Sequence, residues 1–203
     1  MLVGVTQSLF EAAMYIFVLQ WPPAITSAIS KAFPNNAGTP YGTIFSCFMA
    51  CCLLGSTAFG QLVNKMSVNG ESFSAGMLTL ATMAMGAATV ATIPTAVASY
   101  SPLAVLSALS IAFFLFEACV GMYFPSIGTL RSKYVPDSHR SVIMNLFGIP
   151  LNALVVTVFL INEKLGVSGA LKVSTGALGL ATLCMYKLRQ MMKKSESASI
   201  ASA

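Results

Sequence analysis

The 203-residue chain is 56% hydrophobic and only 8% charged, whereas about 25% of the residues in an ordinary soluble domain are charged. This composition excludes a water-soluble globular domain and indicates a protein of the lipid bilayer. The formal net charge of +5 does not indicate a nucleic-acid partner, because the basic residues lie in short segments between apolar runs and after the last run.

Six apolar runs are long enough for transmembrane helices, which need about 20 mostly apolar residues. The first has no basic segment before it and is too long for a signal peptide, so we expect it to be retained as a span. The sequence therefore predicts an all-α membrane protein with a six-span unit over residues 1–186 and a disordered, cytoplasmic polar tail over residues 187–203. The predicted spans cover residues 2–21, 41–63, 73–97, 103–124, 141–162 and 167–186.

The basic residues predict how the chain is oriented in the membrane, because cytoplasmic loops carry an excess of lysine and arginine. One side has only Lys31, Lys164 and Lys172. The other side is therefore predicted to be cytoplasmic, with both termini. It collects Lys65, the basic loop with Arg131, Lys133 and Arg140, and then Lys187, Arg189, Lys193 and Lys194.

Enzyme signatures are missing from the sequence. The five cysteines all lie inside apolar runs, where neither a disulfide framework nor a zinc site is expected. His139 lies in the basic loop without cysteines or acids at metal-ligand spacing. No glycine-rich phosphate loop follows a predicted strand. We therefore predict that the protein is not an enzyme and uses no metal or cofactor.

A short motif recurs in the first and fourth predicted spans. Residues 10–12 read Phe-Glu-Ala, as do residues 116–118, and Met-Tyr follows in both places. Three intervening crossings give the two copies opposite directions, as in an inverted three-plus-three repeat with a substrate site near the bilayer midplane. The alternative is a chance match in a sequence of few residue types.

The two motif glutamates, Glu11 and Glu117, are the strongest candidates for a functional site. A charge in hydrocarbon costs about 2.5 to 3.5 kcal/mol on insertion scales, so such residues are rare unless they have a role. Each could carry a proton or pair with an arginine of a partner. Further polar residues follow helical spacing. The predicted pathway residues are Glu11 and Tyr15, Ser110 and Glu117, and Asn145 and Asn152; Gly121, Gly148 and Pro150 are predicted hinge or packing positions.

The serine and asparagine side chains have an alternative interpretation. They could simply form hydrogen bonds between helices, each contributing about 0.6 kcal/mol. The glutamates fit this interpretation less well, since glutamine would form such bonds without the cost of ionisation.

A longer stretch carries a family resemblance. It reads Glu-Ala-Cys at residues 117–119, Gly-Met-Tyr-Phe-Pro-Ser at 121–126, Leu-Arg-x-Lys at 130–133 and Asn-Leu-Phe at 145–147. With matching segments upstream, it resembles the molybdate-anion transporter family of the major facilitator superfamily, specifically the C-terminal six helices, over most of residues 8–152. The resemblance implies uptake of molybdate across the plasma membrane by alternating access between two six-helix halves.

Two departures from the family pattern shape the functional hypothesis. The family has twelve spans where this chain has six, and it tends to carry an arginine where this chain has Gly148. An anion site would therefore take its positive charge from a missing N-terminal half, from backbone dipoles or from a second copy of the chain. The alternatives are a transporter of another anion such as sulfate, and a truncated relative that acts only through interactions within the membrane.

Overall fold

The computed structural model describes residues 1–35, 38–66, 69–135 and 140–201. For residues 64–66, 140, 141, 144 and 195–201 it describes the backbone only. The regular structure in these ranges is entirely helical, which confirms the predicted fold class. Six helices follow one another: α1 (Leu2–Ala32), α2 (Tyr41–Met66), α3 (Gly70–Ala91), α4 (Pro102–Tyr134), α5 (Arg140–Leu160) and α6 (Asn162–Ala201).

Five of the helices are long and apolar enough to cross a membrane, namely α1, α2, α3, α4 and α6. In α5 the corresponding apolar stretch, Asn145–Leu160, is shorter. A crossing by α5 therefore stays a prediction.

The helix ends differ from the predicted spans. Helix α1 continues through Pro22 and Pro23 to Ala32, and α4 continues ten residues beyond the predicted end at 124. Helix α3 ends early at Ala91, because Pro94 disfavours helical geometry in the residue before it. The predicted basic loop is consequently shorter, and Arg131 and Lys133 lie in the last turn of α4, where positive charge complements the helix dipole.

Local sequence explains two boundaries. Helix α4 begins with Pro102 at its first position, and the Ser101 hydroxyl accepts a hydrogen bond from the amide of Ala104 at 3.3 Å, a usual helix start. Helix α6 is broken at Gly166, whose φ of +61° is open to glycine but unfavourable for other residues. The predicted sixth span begins directly after this break.

The polar segment from Lys187 differs from the predicted disordered tail. Helix α6 continues through it to Ala201. Leu188 is buried and Met192 packs against the same apolar core, so the segment contributes apolar contacts that its composition conceals.

The bundle has two layers. Helix α1 packs on α4, α5 and α6, while α4 packs on α1, α2 and α3, and α3 also packs on α6. The front layer is therefore α5–α1–α4–α2, and α6 and α3 lie behind it. Exchanging α1, α2 and α3 with α4, α5 and α6 reproduces the main contacts, as an inverted repeat requires. The motif residues Phe10 and Phe116 meet across α1 and α4 with ring centroids 6.1 Å apart.

Two glycines fix the crossing of α2 and α4. A side chain at Gly55 would overlap the backbone carbonyl of Ala118, and one at Gly121 would overlap that of Cys52. The helices therefore touch backbone to backbone, as small residues allow in membrane proteins. Gly121, a predicted hinge or packing position, lies at this close crossing.

We predict that Gly121→Ala destabilises the protein by about 1 to 3 kcal/mol, the usual cost of overpacking. The matched control is Gly76→Ala, because an added Cβ there meets no described atom within 4 Å. It should be neutral or slightly stabilising, since alanine is the better helix former. Thermal unfolding in detergent, followed by the fluorescence of the buried Trp21, measures both. Equal midpoints for the two variants would contradict the close crossing.

Candidate substrate and proton pathway

The front layer presents an open face, and the two motif glutamates lie on it or just beneath it. On α1, Glu11 is half-buried and Tyr15, one turn later, is 48% exposed. Since α6 packs behind α1, and α4 and α5 pack on either side, this exposed strip of α1 faces the front. The predicted strip on α1 therefore lies at the surface of the bundle between two neighbours.

Glu11 is held by a residue of the other repeat. The hydroxyl of Tyr123 on α4 donates a hydrogen bond to Glu11 Oε1 at 3.0 Å. The Tyr123 ring is buried and stacks on Phe10 with centroids 3.9 Å apart. The Glu11 side chain is thus held in place by a neutral hydrogen-bond donor, which compensates part of its desolvation.

Glu117 lies nearer to α2. Glu117 is only 6% exposed, and its neighbours on α4, Ala118 and Gly121, touch α2 at Gly55 and Cys52. Ser110, seven residues earlier on the same side of α4, is half-buried, and Phe124, seven residues later, is exposed. Glu117 therefore lies just beneath the front surface where α2 crosses α4.

The asparagines of α5 lie on its exposed side. Asn145 and Asn152 are both exposed, on the flank of α5 away from Leu154, which packs against the apolar contact with α1 and α6. An added Cβ at Gly148 meets no described atom within 4 Å, so close packing does not explain this glycine. Pro150 contributes to an apolar cavity of about 150 Å³ between α1 and α5.

The pathway residues thus share a face without forming one compact cluster. The described contacts join Glu11 to Tyr123 and bring Glu117 close to α2, and none of them joins the two carboxylates directly. Within the described ranges, no group of three histidine, cysteine or acidic side chains could hold a metal ion. The arrangement can hold two separate protons, or two cationic groups of a partner, at neighbouring points.

Several polar contacts were not predicted from the sequence. In the sequence Tyr123 belongs to the repeated motif, and its position seven residues after Phe116 places it on the same helix face. Hydroxyl pairs also join the two rear helices: Thr82 with Thr182 at 3.0 Å and Thr89 with Thr175 at 2.9 Å. Single threonines in apolar helices carry no sequence signal that identifies such partners.

The predicted cytoplasmic basic residues have distinct surroundings. Lys133 forms an ion pair with Glu71 at the start of α3, with Nζ and Oε1 2.6 Å apart. Arg131 is half-buried. The side chain of Arg140 and the whole of His139 lie outside the described residues. The acid that binds Lys133 was missed because it looks like an ordinary loop residue in the sequence.

We predict that Tyr123→Phe lowers stability by about 1 to 3 kcal/mol, because a half-buried carboxylate loses its hydrogen-bond donor. Glu11→Gln should cost less, since the amide oxygen still accepts the bond. Tyr100→Phe is the control, because Tyr100 is 67% exposed. Thermal unfolding of the three variants in one detergent compares them. If the Tyr123 variant behaved like the control, the hydrogen bond would not contribute to stability.

Comparisons with known proteins agree with this architecture. A family profile described as "Sugar transporters, 12 TM" matches residues 1–116, which is more than half of the chain. The molybdate-anion transporter of Xenopus tropicalis is 29% identical over 208 residues, covering 95% of this chain and 40% of the relative. That of Danio rerio is 31% identical over 157 residues, covering 76% of this chain and 29% of the relative.

The chain therefore spans no more than 40% of the length of these relatives. No solved structure matches it. The similarity to molybdate-anion transporters confirms the resemblance drawn from the Glu117–Asn152 stretch. From the profile match and the six-helix bundle together, the chain belongs to this family of twelve-span transporters in the major facilitator superfamily.

Proposed function

We propose that the chain is a six-helix half of a transporter that takes up an oxyanion, molybdate in the first instance, across the plasma membrane by alternating access. The observation that carries the proposal is the open front face, with Glu11 on it and Glu117 just beneath it. The names of the relatives supply the substrate class. Both termini are cytoplasmic in this proposal.

The front face needs a partner. In α2 only 11% of the most apolar stretch is buried within the bundle, against 50% in α1 and α3. Polar side chains such as Tyr15, Asn145 and Asn152 lie exposed on the front layer, and polar groups at membrane depth normally face protein or a water-filled cavity. A second six-helix unit on this face satisfies both requirements, and the greater length of the relatives supplies a candidate for it.

The charge on this face assigns different tasks to the two units. Among the described side chains of the front layer, the lysines and arginines lie near helix ends, whereas Glu11 and Glu117 lie within α1 and α4. A dianion needs positive groups or helix N-termini aimed at it. The partner unit therefore provides the cations that bind the substrate, while the glutamates pair with those cations or carry the coupled protons.

We predict molybdate uptake when the chain is expressed together with the part of a relative, such as the Danio rerio transporter, that it does not match. Uptake of radiolabelled molybdate into cells should exceed that of cells expressing either part alone, because the anion site needs both faces. Excess sulfate as competitor tests selectivity. Absence of uptake in every combination would reject transport and favour a membrane protein that acts only through interactions.

We predict that Glu117→Gln removes most of the pH dependence of that uptake if Glu117 carries the coupled proton, since glutamine cannot ionise. Uptake compared between acidic and neutral buffer measures the effect. Glu163→Gln is the matched control, because Glu163 is exposed at the start of α6. An unchanged pH dependence in the Glu117 variant would leave only the ion-pairing role.

A further inference from the structure

A separate charged cavity lies at the end of the bundle where α3 begins and α4 ends. It has a volume of about 50 Å³, enough for roughly three or four waters. Among the described residues, three cationic side chains and one carboxylate line it, contributed by three helices. The lining residues are Asn69, Glu71, Ser72, Lys133, Arg189, Met192 and Lys193.

The Glu71 carboxylate is already compensated. Glu71 Oε1 accepts hydrogen bonds from Lys133 Nζ and from the hydroxyl of Tyr134. The ion pair with Lys133 balances its charge locally. The Arg189 guanidinium on α6 therefore gives the cavity an excess of positive charge, and Lys193 lies one turn away on the same helix.

Arg189 lacks a hydrogen-bond acceptor for one of its donors in this cavity. Its Nε is fully enclosed and has no hydrogen-bond acceptor among the described residues. A buried charged donor without an acceptor is unfavourable, so an anionic group in the cavity would stabilise it. The Asn69 side chain makes no capping hydrogen bond to α3, so it does not accept hydrogen bonds from the amides of the first turn of α3.

The position of the cavity indicates where the anion comes from. Arg189 and Lys193 follow the predicted span of residues 167–186, and the buried Leu188 holds this part of α6 against the bundle. The cavity therefore lies at the boundary between hydrocarbon and water, the depth at which lipid phosphates lie and at which basic clusters attract anionic lipids. We propose that this cavity binds a phosphate group, as carried by an anionic lipid headgroup or by free phosphate. The site lies away from the front face and is independent of the transport proposal.

The test is a binding measurement on the purified full chain in detergent. Calorimetric titration with short-chain phosphatidic acid, short-chain phosphatidylcholine and inorganic phosphate compares an anionic lipid, a zwitterionic lipid and the free anion. Arg189→Gln with Lys193→Gln should weaken phosphatidic acid binding about tenfold or more. Lys187→Gln with Lys194→Gln is the matched control, because it removes the same charge from exposed positions of the same helix outside the cavity.

The control should change the affinity less than about twofold. If the lipid were attracted only by the overall surface charge, the control would weaken binding by more than that. Arg189→Lys keeps the charge but removes the enclosed Nε, so intermediate binding would support the cavity even if the double variant folds poorly. Binding of inorganic phosphate as tight as that of phosphatidic acid would support the site and identify a soluble ligand. Equal losses in both double variants, or no loss in either, would overturn the proposal.

Discussion

The packing of α1 against α4 is the contact on which the rest of the structure depends. Phe10, Phe116 and Tyr123 stack across it, and Phe17 contacts Phe113 at a centroid distance of 5.0 Å. In a bilayer the hydrophobic effect does not bring helices together, because lipid tails are as apolar as the side chains. Close stacking of large rings provides the dispersion energy instead, and it positions the two repeats relative to each other.

This contact also determines where the ionisable groups lie. Because α1 and α4 are central, the glutamate beside each motif phenylalanine lies near the open face and not at the outer edge of the bundle. Glu11 reaches a donor on the opposite repeat, while Glu117 is covered by α2. The same motif thus yields two unequal carboxylates, one held by a phenol and one nearly enclosed. Under the proposed function, such inequality would allow the two groups to release or bind protons at different stages of the transport cycle.

The fold was largely predictable from the sequence, because the membrane imposes a minimum length on each apolar run. All six helices were located in this way. Their ends were not, since hydropathy reports the thickness of the hydrocarbon layer and says little about how far a helix continues into water. The continuation of α4 to Tyr134 and of α6 past Lys187 was therefore not predictable from hydropathy.

The candidate residues could be singled out in the sequence, because an acid in an apolar helix is rare, and their role stays a prediction. Their partners were not predictable from the sequence. Which side chain meets Glu11 depends on the rotation of α4 relative to α1, and the pairing of Lys133 with Glu71 depends on how far α4 extends beyond the apolar run. The hydroxyl pairs of the rear layer likewise require the register of α3 against α6.

Those hydroxyl pairs have a mechanical consequence. Thr82 and Thr182 each also lie within hydrogen-bond distance of a carbonyl four residues earlier in their own helix, at 2.8 and 2.9 Å, and Thr89 and Thr175 do the same. When α3 slides along α6, each hydroxyl can return to its own helix, so no donor is stranded in lipid. The rear seam can therefore shear at low cost, whereas the front crossing at Gly55 and Gly121, where backbone touches backbone, resists sliding.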